Sequence, residues 1–181
     1  TNPASPIKCG GAPHKAMYLA CDYWRKQGIL DKCDVHYISG AGAIFAVKEY
    51  ANTLDGILKM NNIKTHFLNN VTEVDGNNKT VYYESKDADG NVINHEMKFD
   101  LCHAVPPMSA PDFIKSSALS DKNNPYGYVE VNKNTFQHVL YKNVFAFGDV
   151  SNAPCSKTGA AIRQQTPVVV DHVLATINHT T

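Results

Sequence analysis

The sequence predicts an α/β fold built on a parallel sheet, with a small antiparallel meander set into it. Three observations carry this. Val144-Phe-Ala-Phe-Gly-Asp-Val150 is an almost wholly apolar run followed by a short loop and a long helical stretch, as expected of a strand covered on both faces. Cys33-Asp-Val-His-Tyr-Ile-Ser39 leads through Gly40-Ala-Gly42 into a second helical pattern. Between them, Asp75-Gly-Asn-Asn78 and Asp87-Ala-Asp-Gly90 are turn signals that flank the strand-like Thr80-Val-Tyr-Tyr-Glu-Ser85.

The chain of 181 residues has room for one ordinary domain or two small lobes. Its 17 basic and 17 acidic residues balance, and no basic run points to nucleic acid. No apolar stretch approaches the ~18 residues of a membrane span, and residues 1–7 do not form a signal peptide. Five cysteines, at 9, 21, 33, 102 and 155, include no Cys-x-x-Cys pair. A zinc site or a disulfide framework is therefore poorly supported.

In chain order, Ile7-Lys-Cys9-Gly10-Gly11 is a glycine-rich turn, and Pro13 suits the first turn of a helix over residues 13–27, ended by Gly28. Met17, Ala20, Cys21 and Trp24 form its apolar stripe, which makes Cys21 a core residue. Cys9 precedes the helix N-terminus, where the dipole favours a thiolate; a reactive thiol and a structural one are both open. Gly40-Ala-Gly42 begins a dinucleotide fingerprint, but Phe45 stands where its third glycine belongs. The next helix is expected over residues 47–61, with Tyr50, Leu54, Ile57 and Leu58 on one face. Strands follow at residues 63–68, 71–74 and 80–85, and the meander is expected to close with residues 97–105. Asp87-Ala-Asp-Gly90 resembles part of a calcium loop, but without the required Glu it reads as a turn.

Pro106-Pro107-Met-Ser-Ala-Pro111 is a stiff extended loop, either a wall against a flat ligand or a connection. A short strand at residues 128–131 and a turn-rich segment lead back to residues 144–150. There Gly148 permits close backbone approach, and Asp149 places a carboxylate at the strand's end, the edge where open α/β sheets bind ligands. It serves either sugar or ribityl hydroxyls or the cap of the next turn. The last helix is expected over residues 157–177, interrupted or kinked near Pro167.

Taken in order, Ile7-Lys-Cys-Gly-Gly-Ala-Pro-x-Lys15, Gly42-Ala-Ile-Phe-Ala-Val-Lys-x-Tyr-Ala51, Pro106-Pro-Met-Ser-x-Pro-Asp112 and Val144-Phe-x-x-Gly-Asp149 with Ser156-Lys-Thr158 resemble the sulfide:quinone oxidoreductases. These belong to the flavoproteins with two dinucleotide-binding domains. The resemblance implies a Rossmann-like FAD/NAD(P)-binding α/β fold, incomplete at its N-terminus, in a central-to-C-terminal fragment. Residues 1–104 would be an NAD(P)-binding-like domain and residues 105–181 the flavin-proximal part of the FAD domain. It further implies an FAD-dependent enzyme that oxidises sulfide through redox cysteines and passes electrons to quinone. Cys9 falls on the first redox cysteine, Gly148 and Asp149 on the second FAD motif, and Lys157 beside the flavin ring and quinone pocket. Pro106 and Pro107 fall on the wall of the flavin site. The second redox cysteine would follow the Gly-Asp pair directly, where this chain has Val150; Cys155 is the substitute within the same loop. The resemblance also implies peripheral attachment to a mitochondrial inner or bacterial plasma membrane, and that the fragment alone is inactive and does not retain FAD. Two alternatives are an NADH-oxidising relative of the type II NADH dehydrogenases and a degenerate homologue without catalysis.

Overall fold

The computed structural model describes residues 1–180, and it divides the chain into two compact units, Thr1–Pro107 and a second that starts at Met108. In the first, helix α1 (Ala12–Lys26) opens with Pro13 in its first turn. Its chain reverses at Gly28, whose φ of +67° is left-handed. Strand β1 (His36–Ser39), helix α2 (Lys48–Met60) and strand β2 (Lys64–Phe67) then make a βαβ unit, with β1 and β2 parallel and His36 opposite Lys64. Cys21, Tyr37, Ile44, Ala51, Leu58 and Ile63 form its core. Cys21 is fully buried, as its place on the stripe requires. Tyr50 was expected to face inward and is exposed; Ala51 takes the inward position instead. The helix begins only at Lys48, so five residues separate Gly42 from its first turn.

Strands β3 (Asn70–Asp75), β4 (Thr80–Lys86) and β5 (Val92–Lys98) form the antiparallel meander. Asp75 and Asp87 build its turns by accepting backbone N–H groups of Asn77 and Asn78, and of Asp89 and Asn91. The closing strand is therefore residues 92–98 and not 97–105. The short Asp87–Asn91 turn puts Val92 opposite Lys86 and pairs the whole of β5 with β4 before residue 99 is reached.

His36 and His66 lie on neighbouring strands with Nδ1 and Nε2 2.8 Å apart and their rings stacked. His36 Nε2 also meets Asp34 Oδ2 at 3.2 Å. Burial holds the pKa of His66 below the ordinary histidine value, and His36, His95 and Lys64 add to the effect. Burial does the same to His14, assisted by Lys15 and opposed by the Gly10 backbone. Folded pKa values below the unfolded 6.5 mean that the unfolded chain binds more protons as the pH falls through that window. Stability present above pH 6.5 is thus lost on acidification. Thermal melts should show a lower Tm at about pH 5.5 than at about pH 7.5; an equal or higher Tm in acid would contradict this.

In the second unit, a one-turn helix α3 (Asp112–Lys115) precedes a set of extended segments, and helix α4 (Gly159–Ile177) closes the chain. Neither strand expected here is present. Residues 128–131 make isolated bridges, Val129 to Ser120 and Ser151 and Val131 to His138. Residues 144–147 make one, Phe145 to Gln137, before Gly148 at φ +66° turns the chain into a single 3₁₀ turn. The apolar run records burial: Ala146 and Gly148 are interior, and Phe145, Phe147 and Val150 pack on the core of Val129, Phe136, Ala153 and Val169. The ladder does not form because the amides here take separate partners, Ala146 N–H bonding Phe136 O and Gly148 N–H a side chain. Helix α4 is capped by Thr158, whose Oγ1 accepts the Ala161 N–H at 3.1 Å, and it carries Pro167 internally. No helix among the described residues is long and apolar enough to cross a membrane.

Candidate functional site

The second unit gathers Gly148, Asp149, Cys155 and Lys157 around the entry to α4. Gly148 is required twice. Its φ is left-handed, and a Cβ there would lie 2.9 Å from Ile162 Cδ1 of α4. The turn therefore seats directly on the helix. Asp149, next in the 3₁₀ turn, is exposed. Val150 is half-buried against the core.

Gln165 was not singled out from the sequence, yet it organises this site. Its side chain is 8% exposed. Its Oε1 accepts the Gly148 N–H at 3.2 Å, and its Nε2 donates to Cys155 Sγ at 3.0 Å. One buried amide thus ties the Gly148 turn to an exposed thiol ten residues before it. The signal that reveals it is positional. Ile162, Gln165, Val169 and Val173 follow i, i+3, i+7, i+11 along the inward stripe of α4, so Gln165 is a polar residue at a core position. Lys157, expected at the start of the helix, lies just before the Thr158 cap, its ammonium 4.5 Å from the centre of the Tyr128 ring.

The first unit holds Cys9. Cys9 O accepts the Ala12 N–H at 3.1 Å, closing a tight turn onto the N-terminus of α1. Phe45 packs on this turn: a Cβ on Gly10 would sit 3.4 Å from its Cε2. The substitution that spoils the dinucleotide fingerprint thus has a packing role at the Cys9 loop. Gly40 also has a packing role, for the backbone of Ala4 lies where its Cβ would be. His14 is buried in α1 beside Phe45 and Tyr18. Pro106 and Pro107 are exposed in an extended stretch at the end of this unit. All five cysteines are free thiols; Cys9 is half-buried and Cys155 exposed. No cluster of three or more metal-ligating side chains occurs among the described residues.

No family model matches the sequence. Among curated proteins, the chain is 41% identical over 179 residues to the mitochondrial sulfide:quinone oxidoreductase of Dictyostelium discoideum, covering 99% of this chain and 37% of that protein. It is 38% identical over 169 residues to the mouse mitochondrial sulfide:quinone oxidoreductase, covering 93% and 36%. The chain therefore spans little more than a third of the length of these relatives. Among solved structures, the sulfide:quinone oxidoreductase of Aquifex aeolicus superposes with a TM-score of 0.79 at 21% identity, over 98% of this chain and 43% of that one. That likeness establishes a Rossmann-like α/β fold shared with the matching part of that protein. Over nearly its whole length, the chain is a homologue of the sulfide:quinone oxidoreductases.

Proposed function

We propose that this chain forms the middle and flavin-proximal parts of an enzyme that oxidises sulfide and reduces quinone. The observation that carries the reading is the 41% identity to a sulfide:quinone oxidoreductase across 99% of the chain. In this reading Cys9 is the sulfur-accepting thiol, in a glycine turn at a helix N-terminus. Residues 1–104 are the NAD(P)-binding-like domain, and residues 105–181 carry one edge of the FAD site. The residues present fit that edge. A Cβ on Gly148 would press on the Ile162 side chain at 2.9 Å, and the exposed Asp149 carboxylate suits ribityl hydroxyls. The Lys157 ammonium supplies positive charge near the N-terminus of α4. FAD, when bound by the full-length protein, takes two electrons from sulfur and passes them to quinone. Pro106 and Pro107 give a rigid wall, and the whole protein attaches peripherally to a membrane, mitochondrial by the names of its relatives. The segment alone holds FAD weakly or not at all.

Cys155 is a slower substitute for the second redox cysteine, held by the Gln165 amide in the loop that follows Val150. The test is sulfide-dependent quinone reduction by the chain extended to the full length of its relatives. Val150→Cys restores a thiol directly after the Gly-Asp pair and should raise turnover about tenfold or more. Cys9→Ser should abolish it. Turnover unaffected by Cys9→Ser would overturn the reading, and no gain from Val150→Cys would mean that Cys155 already completes the relay.

A further inference from the structure

Strands β1 and β2 present two histidines to one face. His36 is opposite Lys64 in the parallel register and Ile38 is opposite His66, so the two imidazoles are diagonal neighbours. Their nitrogens converge. His36 Nδ1 and His66 Nε2 are 2.8 Å apart, with the ring planes 11° apart and the ring centres separated by 5.1 Å. The other nitrogen of His36, Nε2, lies 3.2 Å from Asp34 Oδ2. A carboxylate only accepts, so it fixes the His36 proton on Nε2 and leaves Nδ1 as a lone pair. His66 Nε2 therefore donates to that lone pair. Asp34 is itself held by Lys64, whose ammonium lies 2.7 Å from Oδ1 and balances its charge. Solvent reaches the pair, for the His36 side chain is 21% exposed.

We propose that His36 Nδ1 and His66 Nε2 form a binding site for a borderline divalent transition-metal cation, with Zn²⁺ as its type, which joins β1 to β2 in place of the shared proton. The spacing suits a tetrahedral ion. Two imidazoles bonded to one at about 2.0–2.1 Å have ring centres about 5.2 Å apart and nitrogens about 3.3 Å apart. The ring centres already stand at that separation. Tilting the rings about them opens the nitrogens by roughly half an ångström, and neither strand has to move. The proton displaced from His66 Nε2 passes to Nδ1 of the same ring, so the imidazole stays neutral. Asp34 is the second, independent observation. A metal-bound imidazole ordinarily donates its far N–H to a carboxylate, which fixes the ring and raises its basicity. His36 Nε2 already makes that contact. No third protein ligand converges on the pair among the described residues, so water takes the remaining positions. Nitrogen donors favour Zn²⁺ over Mg²⁺ and Ca²⁺, which prefer oxygen. The site is independent of the redox reading and shares no residue with it.

The experiment titrates the protein with zinc chloride after its accessible cysteines have been alkylated, so that thiols do not compete. Calorimetry measures the affinity, and NMR of the imidazole nitrogens shows which rings respond. The His36 and His66 signals should move together and before those of the other histidines, while Mg²⁺ at the same concentrations moves neither. Asp34→Asn should weaken binding about 10- to 100-fold, and His66→Gln should abolish it. Should His66→Gln fail to fold, His36→Gln removes the other ligand, and the ring signals of the unsubstituted protein still decide. Zinc that binds while the His36 and His66 signals stay unmoved overturns the proposal. So does an affinity untouched by His66→Gln, or the absence of binding at millimolar zinc.

Discussion

Gly40→Ala should detach the N-terminal segment from β1 and destabilise the first unit by about 3 kcal/mol. The new Cβ would meet backbone, 2.5 Å from Ala4 N, and backbone cannot move aside as a side-chain tip does. The displaced stretch carries Asn2 N–H to Ile38 O at 2.9 Å and Gly40 N–H to Asn2 O at 3.0 Å, along the open edge of β1. Gly42→Ala is the matched control. Its Cβ would be 3.5 Å from Leu68 Cδ2, an ordinary contact, and the change should be nearly silent. Urea unfolding of the two variants, with amide exchange at Gly40, measures both. Equal stabilities would show that the first glycine has no packing role.

Gln165→Leu should cost about 2 kcal/mol, from a buried Gly148 N–H left without an acceptor. Leucine keeps the volume and suits the apolar stripe, so cavity effects are small and the loss reports the hydrogen bond. The same change frees Cys155 Sγ from its amide donor. Denaturant melts with unchanged m-value and lowered midpoint are the expected signature. A midpoint at or above that of the parent would show that the Gly148 turn does not depend on this amide.

Those two sites show what the sequence discloses. Periodicity placed α1, the βαβ unit and α4, because their stripes and caps are local. The Asp75 and Asp87 turns were equally legible, since each aspartate bonds backbone within four residues. The apolar run at residues 144–150 misled, because apolarity reports burial and a ladder needs a neighbour with free amides. The closing meander strand was misplaced because Val-Ile-Asn-His-Glu-Met-Lys is largely exposed and lacks apolar alternation. Its register follows from the turn before it. In the candidate site, Cys9, Gly148, Asp149 and Lys157 stood out by type and motif. Gln165 and His14 were missed although each lies on a stripe already drawn: His14 precedes Met17, Cys21 and Trp24 at helical spacing. A polar residue at a core position is the informative exception in an otherwise apolar pattern.

The threading of the first unit sets a timetable for folding. Asn2 waits for β1, and the Thr1 hydroxyl accepts the Val105 N–H across a separation of 104 residues, so this unit closes only when its two ends meet. In the second unit the ties are short, 17 residues for Gly148 to Gln165 and 21 for Val131 to Asn152. Loop-closure entropy and contact order both favour the short ties. The second unit, which leaves the ribosome after the first, is the one whose architecture needs the least waiting.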